Sequence, residues 1–426
     1  MTDTQATRVP DQGLVEMTKS SVGSLSGSPS LRAPFYRTWW FKIIAIFVLS
    51  RLLTTILLLI LASVQGPNPW TGAHPGYFDF AAIWDGRWYN IVAGFGYPAR
   101  LPVDNTGAVA QNAWAFMPAY PAAVNVVAFI TRMPWSVAAV FVSAAFGLAS
   151  ALVFYRLLRV TLDSSTSLFA VVLFCVAPVS PLMQLAYAES MYIFFLTLAL
   201  YLLVQRKYWL MLPAIAVMAF TRPSGLAFAL AMGLHVIYRW AIRRREPYSR
   251  HDRVASVAVT LFSVAAGFAW PAIAAAVTGD LNAYTDTELS WRSAYIGATK
   301  LFPFTSWLQG ANWWFSTWLG LPSWLGIAAL LLLIALFAVV LFIPPVKRLG
   351  VDLRIWLVSY AIYLLAVFFP QSSTFRILLP MFPLLGAVAQ PKSRIYRVSI
   401  VVILIAAQLG WLLICWGVDG SDWTPP

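Results

Sequence analysis

From Phe41 onward the chain alternates long apolar runs with short polar breaks, and the runs set the expected elements. The first, Phe41 to Ser63, is close to the ~20 residues that a helix needs to cross a hydrocarbon layer. Further runs follow at roughly 136–157, 166–184, 190–204, 208–220, 224–240, 254–277, 322–343, 353–369, 375–390 and 396–416. Each is expected to be helical, because hydrocarbon offers backbone N–H and C=O groups no partner outside the segment. The pattern predicts an all-α polytopic membrane protein of about eleven transmembrane helices, with 208–220 the shortest. Phe116 to Ile130 is also apolar, but it is short and carries Pro118 and Pro121, which predicts a re-entrant or interfacial helix.

Composition agrees: 60% of the residues are hydrophobic and only 11% charged, the balance of a chain whose main solvent is a bilayer. The net charge of +13 would suit nucleic acid, but no basic stretch is interleaved with a soluble fold able to dock it. No nucleic-acid partner is expected, and membrane lipids are. The charge is better explained by topology. With the N-terminus inside, 21 of the 29 Lys and Arg fall in cytosolic segments. Seven fall outside: Arg87, Arg100, Arg132, Arg222, Arg292, Lys300 and Arg376. Arg51 lies within the first span. This asymmetry predicts a multi-pass cell-membrane protein with the N-terminus cytoplasmic and the C-terminus outside.

On that topology residues 1–40 form a cytosolic tail. Its Ser-, Thr-, Pro- and Gly-rich stretch from Met1 to Ala33 predicts disorder and lacks the apolar core of a signal peptide. Residues 41–416 form the membrane domain. Its first extracytoplasmic loop, 64–135, is expected to carry short interfacial helices. A second large loop covers 278–321, and 417–426 is an extracytoplasmic tail. Cys175 and Cys415 sit inside apolar runs and read as small buried hydrophobes.

The odd polar clusters then gather on the outer face. They are "YFDFAAIWDGRWY" and "FMPAYP" in the first loop, "AYAES", "TRPSG", "TGDLNAYTDTELSWR" and "QSSTFR". Polar groups brought to one membrane surface by separate loops look like a site. If Trp84 to Val92 is helical, Asp85, Trp88, Tyr89 and Val92 share a face. There a carboxylate is placed to accept a proton from a sugar hydroxyl while the rings stack on the sugar. Asp85 equally suits the cap of an interfacial helix inside an aromatic belt. Asp79 is a second candidate base. Glu189 heads a span, where it either serves the site or complements the helix dipole. Arg222 and Arg376 break the positive-inside trend at outer helix ends, where a guanidinium is built to grip a phosphate; a snorkelling arginine is the alternative. Asp280 follows Gly279 at the end of a span, and Asp286 and Glu288 read as solvated loop acids. His74 is isolated, so no metal site is expected. No P-loop, dinucleotide motif or Ser/His/Asp set is present.

"WDGRWYNIVAGFGYP" resembles the first-loop signature of the PIG-V type of mannosyltransferase. The later clusters agree in order: "AFMPAYP", "APVSPLMQLAYAESMYIFFLTLALYLL", "FTRPSGLAFAL", "TGDLNAY" and "FRILLPMFPLL". The resemblance runs from Trp84 to about Leu385 and is nearest to bacterial members. It implies a membrane glycosyltransferase of the GT-C superfamily. Such an enzyme moves mannose from polyprenyl-phosphate mannose to an acceptor hydroxyl on a glycolipid, glycan or protein outside the membrane, by a single inverting displacement, with no cofactor. By the same resemblance Asp85 is the general base and Asp79 a neighbouring carboxylate. Arg87, Trp88, Tyr89, Glu189, Arg222, Asp280 and Arg376 are then candidate substrate-binding residues. Two other readings remain: a transporter or flippase for a lipid-linked sugar, for which Arg51, with Ser50 in the first span, is the one exception to spans that lack polar or charged residues near mid-membrane, and a non-catalytic cell-envelope scaffold.

Overall fold

A computed structural model describes residues 38–417 and 424–426. The tails expected at 1–40 and 417–426 lie mostly outside the described residues. Among the described residues the regular structure is helical, with one isolated bridge between Val103 and Val109. The first run is α1 (Trp39–Val64). The first loop carries the expected short helices, α2 (Tyr77–Ala81), α3 (Asp85–Phe95) and α4 (Ala119–Thr131). Then come α5 (Trp135–Leu158), α6 (Ser164–Val176), α7 (Glu189–Val204), α8 (Tyr208–Ala219), α9 (Gly225–Ala241) and α10 (Arg250–Thr278). The second loop holds α11 (Ala283–Ser290), α12 (Ser293–Ile296) and α13 (Ser306–Asn312). The chain finishes through α14 (Ser323–Val340), α15 (Pro344–Lys347), α16 (Val351–Val367), α17 (Thr374–Ile377), α18 (Leu385–Val388) and α19 (Arg394–Cys415).

Among the described residues five helices, α1, α5, α10, α14 and α19, are long and apolar enough to cross a membrane. The other predicted runs are helical but shorter or interrupted. The run at 166–184 is not one helix: α6 stops at Val176, and after Pro178 a 3-10 turn covers Ser180–Met183. A helix that ends in apolar surroundings strands its last carbonyls. Arg51, 8% exposed on α1, meets that need. Its Nη2 donates to the Cys175 carbonyl at 2.6 Å and its Nη1 to the Ser180 carbonyl, while Gln408 of α19 donates to Ser180 Oγ at 2.6 Å. The run at 375–390 is likewise broken, by a 3-10 segment Leu379–Leu384 carrying Pro380 and Pro383.

The two ends of the bundle are sorted. Connections predicted to be cytosolic meet at one end, where Lys392 pairs with Asp163 at 2.9 Å and Arg206 with Asp352 at 2.7 Å. The clusters predicted to lie outside meet at the other. There the last helix ties down the first loop: Trp84 Nε1 donates to the Cys415 carbonyl at 2.9 Å and Trp416 Nε1 to the Phe80 carbonyl at 3.1 Å.

Small residues set a close helix crossing between α9 and α10. A Cβ on Gly225 would lie 2.8 Å from the Gly267 Cα, and one on Gly267 would lie 2.9 Å from the Leu226 nitrogen. Backbones this close exclude side chains. Gly267→Val is expected to lower stability by ~1–3 kcal/mol through overpacking. Gly233→Ala on α9, with nothing within 4 Å of the added carbon, is expected to be harmless. Thermal unfolding in detergent compares the two.

Candidate active site

The turn that delivers Asp85 is strained. Trp84 has φ +59°, a left-handed conformation costly for a bulky residue and seen mostly where surrounding structure enforces it. Burial to 8% exposure and the bond to the Cys415 carbonyl enforce it here. The Asp85 backbone N–H points to the Tyr187 hydroxyl at 3.3 Å. Gly86 follows because α3 runs against the Ala186 backbone: a Cβ there would lie 3.2 Å from the Ala186 oxygen. Asp85 thereby opens α3 facing the interior.

Three other elements converge around it. Arg222, in the turn between α8 and α9, donates from Nη2 to Asp85 Oδ2 at 3.2 Å and to Glu189 Oε1. Arg376 of α17 donates from Nη1 to the same Asp85 Oδ2 and lies 3.5 Å from Glu189 Oε1. Glu189, the first residue of α7, is 4% exposed. Two guanidiniums and two carboxylates thus form a formally neutral, largely buried cluster. Burial alone would lower the pKa of Arg222, but Glu189, Tyr89 and Asp85 outweigh it and hold the guanidinium charged. Two buried atoms of the cluster, Glu189 Oε2 and Arg376 Nε, have no hydrogen-bond partner. Buried polar atoms are rarely left so without reason. A cluster that already holds two guanidiniums and retains a free N–H is chemically fitted to a phosphate.

The structure separates the other candidates from this cluster. Asp79 is exposed and lines a groove of about 570 Å³ together with Trp70, Arg87, Asn90 and Trp135. Arg87 lies over the Trp70 ring, 5.4 Å from its centroid, and so belongs to that groove. The expected sugar-stacking face of α3 is already occupied. Tyr89 is fully buried against Phe116 and Tyr120, and Trp88 stacks on Phe116 at 5.4 Å. Asp280 is not at the cluster either: its Oδ1 accepts from the Asn282 N–H at 2.8 Å, closing the turn after Gly279.

Glu288 corrects the expectation of a solvated acid. It is partly buried on α11, beside the Tyr284 hydroxyl, within the electrostatic reach of Arg222, Asp85 and Arg376. Burial pushes its carboxyl up to about 7. The signal for it was present in the spacing, since Tyr284, Glu288 and Trp291 recur at i, i+4 and i+7 and share a helix face. Trp291 packs edge-on to Trp88 at 5.8 Å, which fixes that face over α3.

No family model matches the chain, and no curated protein does either. Solved structures of similar helical course exist. One is the archaeal oligosaccharyltransferase AglB from Archaeoglobus fulgidus in complex with an inhibitory peptide and a dolichol-phosphate: 13% identity over 92% of this chain and 57% of that one, TM-score 0.45. Another is the Archaeoglobus fulgidus oligosaccharyltransferase in complex with Zn and sulfate: 14% identity over 89% and 53%, TM-score 0.45. The chain spans little more than half the length of these structures.

Proposed function

We propose that this chain is a membrane glycosyltransferase of GT-C type that takes a sugar, mannose in the first instance, from a polyprenyl-phosphate carrier and transfers it to an acceptor hydroxyl on the extracytoplasmic face. The observation that carries the reading is the buried Arg222–Arg376 pair, balanced by Asp85 and Glu189 at the end of an apolar bundle. A lipid-linked sugar phosphate keeps its tail in hydrocarbon and reacts at its head, so its enzyme needs a charged pocket beside an apolar surface. Displacement at the anomeric carbon needs a cationic clamp on the departing phosphate and a base on the acceptor. The arginines are the clamp, and the negative donor competes with Asp85 and Glu189 for them. Asp85, the base implied by the family resemblance, is held by both guanidiniums through one oxygen; we assign it to holding the clamp in place until the phosphate arrives.

The transporter reading loses its main support. Arg51, the cation near the middle of the first run, is engaged with the broken end of α6 and turned into the protein core. The test is transfer of radiolabelled mannose from polyprenyl-phosphate mannose in membranes containing the full chain. Time-dependent label in an acceptor, lost in Asp85→Asn by ~10²-fold or more, supports the reading. Label that crosses the membrane without leaving its carrier contradicts it.

A further inference from the structure

We propose that Glu288 is the carboxylate that removes the proton from the acceptor hydroxyl, a role that rests on the sugar-transfer reading above. Three observations converge on it. First, its helix is fixed over the cluster. Thr287 Oγ1 accepts from Asn112 Nδ2 at 2.9 Å, and Trp291, one turn beyond Glu288, packs against Trp88 and Phe116 at 5.8 and 5.7 Å. Trp88 is in turn one helical turn from Asp85, so the helix carrying Glu288 lies against the same face of α3 that Asp85 opens.

Second, the division of partners leaves Glu288 free for the task. Asp85 and Glu189 both contact both arginines, so each already has a guanidinium partner. Among the described residues Glu288 takes part in no ion pair of 4 Å or less. The groups within its electrostatic reach are the hydroxyls of Tyr284 on its own helix and Tyr363 on α16, Arg222 in the α8–α9 turn, Asp85 on α3 and Arg376 on α17. Arg292, just before α12, is turned away onto Ser306, Thr299 and the Lys300 carbonyl.

Third, burial pushes the Glu288 carboxyl up to about 7, so about half of it is ionised at neutral pH and that form is basic enough to take a proton. In the step, the acceptor oxygen bonds to the anomeric carbon as its O–H bond breaks. The bond from that carbon to the phosphate oxygen breaks with its electron pair on the phosphate, and the proton is left on Glu288 until it passes to water.

The test uses the purified full chain with radiolabelled polyprenyl-phosphate mannose across pH. For the wild type, kcat is expected to rise with pH through about 7 and level off above. Glu288→Gln is expected to lower kcat ~10²–10⁴-fold, to leave the KM for the donor within about twofold, and to lose that rise; Glu288→Asp recovers part of kcat. Retention of donor binding by Glu288→Gln shows that the fold is intact. A Glu288→Gln enzyme with wild-type kcat, or with the rise near pH 7 intact, overturns the assignment and leaves the sugar-transfer reading standing. A wild type that transfers no sugar removes both.

Discussion

Arg222→Met is expected to lose both stability and sugar transfer, and a second substitution is expected to restore only the first. Removing the guanidinium leaves Glu189, 4% exposed, with Arg376 at 3.5 Å as its remaining ion-pair partner. Breaking a buried ion pair from one side costs ~3–5 kcal/mol, because the orphaned charge stays desolvated. Replacing both partners by neutral groups of similar shape is often near neutral. Arg222→Met with Glu189→Gln is therefore expected to unfold near the wild-type temperature in detergent while transfer stays at background. A cluster that merely stiffened the bundle would regain activity together with stability. Recovery of transfer in the double variant would argue that Arg222 holds the fold and no substrate.

The largest structural effect is expected at Arg51. Arg51→Leu fits the apolar surroundings of α1 but strands the carbonyls of Cys175 and Ser180. Each buried unsatisfied group costs ~1–3 kcal/mol, and Cys175 and Ser180, both fully buried, have no solvent contact to replace the bond. The variant is expected to accumulate poorly and to unfold far below wild type. Arg51→Lys keeps one donor and is expected to be intermediate. A fully stable Arg51→Leu would mean that the break in α6 needs no cap, which would return Arg51 to consideration as a residue on a transport path.

Much of the fold was legible in the chain because hydrocarbon leaves so few options. Each apolar run from Phe41 onward contains helix, and the short helices of the first loop are where Pro118, Pro121 and the Trp84–Val92 pattern placed them. The interruptions were written in the sequence too. Pro178 and Pro181 end one run and Pro380 and Pro383 another, yet hydropathy averaged over a window passes across them. Arg222 and Arg376 stood out because a cation in a connection expected on the outer side runs against the topology rule.

The pairing itself was not legible. Asp85 meets partners 137 and 291 positions away, and nothing local encodes a contact made by the ends of four elements. Tyr89 and Trp88 misled for a related reason. A ring beside a carboxylate looks the same in sequence whether it faces a sugar or a neighbouring ring, and here Phe116, Tyr120 and Trp291 had already filled the space. Glu288 was hidden in the opposite way. In a loop with Asp280 and Asp286 it resembles any solvated acid, until Trp291 is seen anchored on Trp88.

The central claim, that Arg222 and Arg376 hold the phosphate of a lipid-linked sugar, is tested most directly by donor binding to the purified full chain. Saturable retention of radiolabelled polyprenyl-phosphate mannose is measured against competing polyprenyl phosphate and against the uncharged polyprenol. The account predicts that polyprenyl phosphate competes, that polyprenol does not, and that Arg376→Gln weakens retention at least tenfold. Equal competition by polyprenol, or retention unchanged in Arg376→Gln and Arg222→Gln, would contradict it.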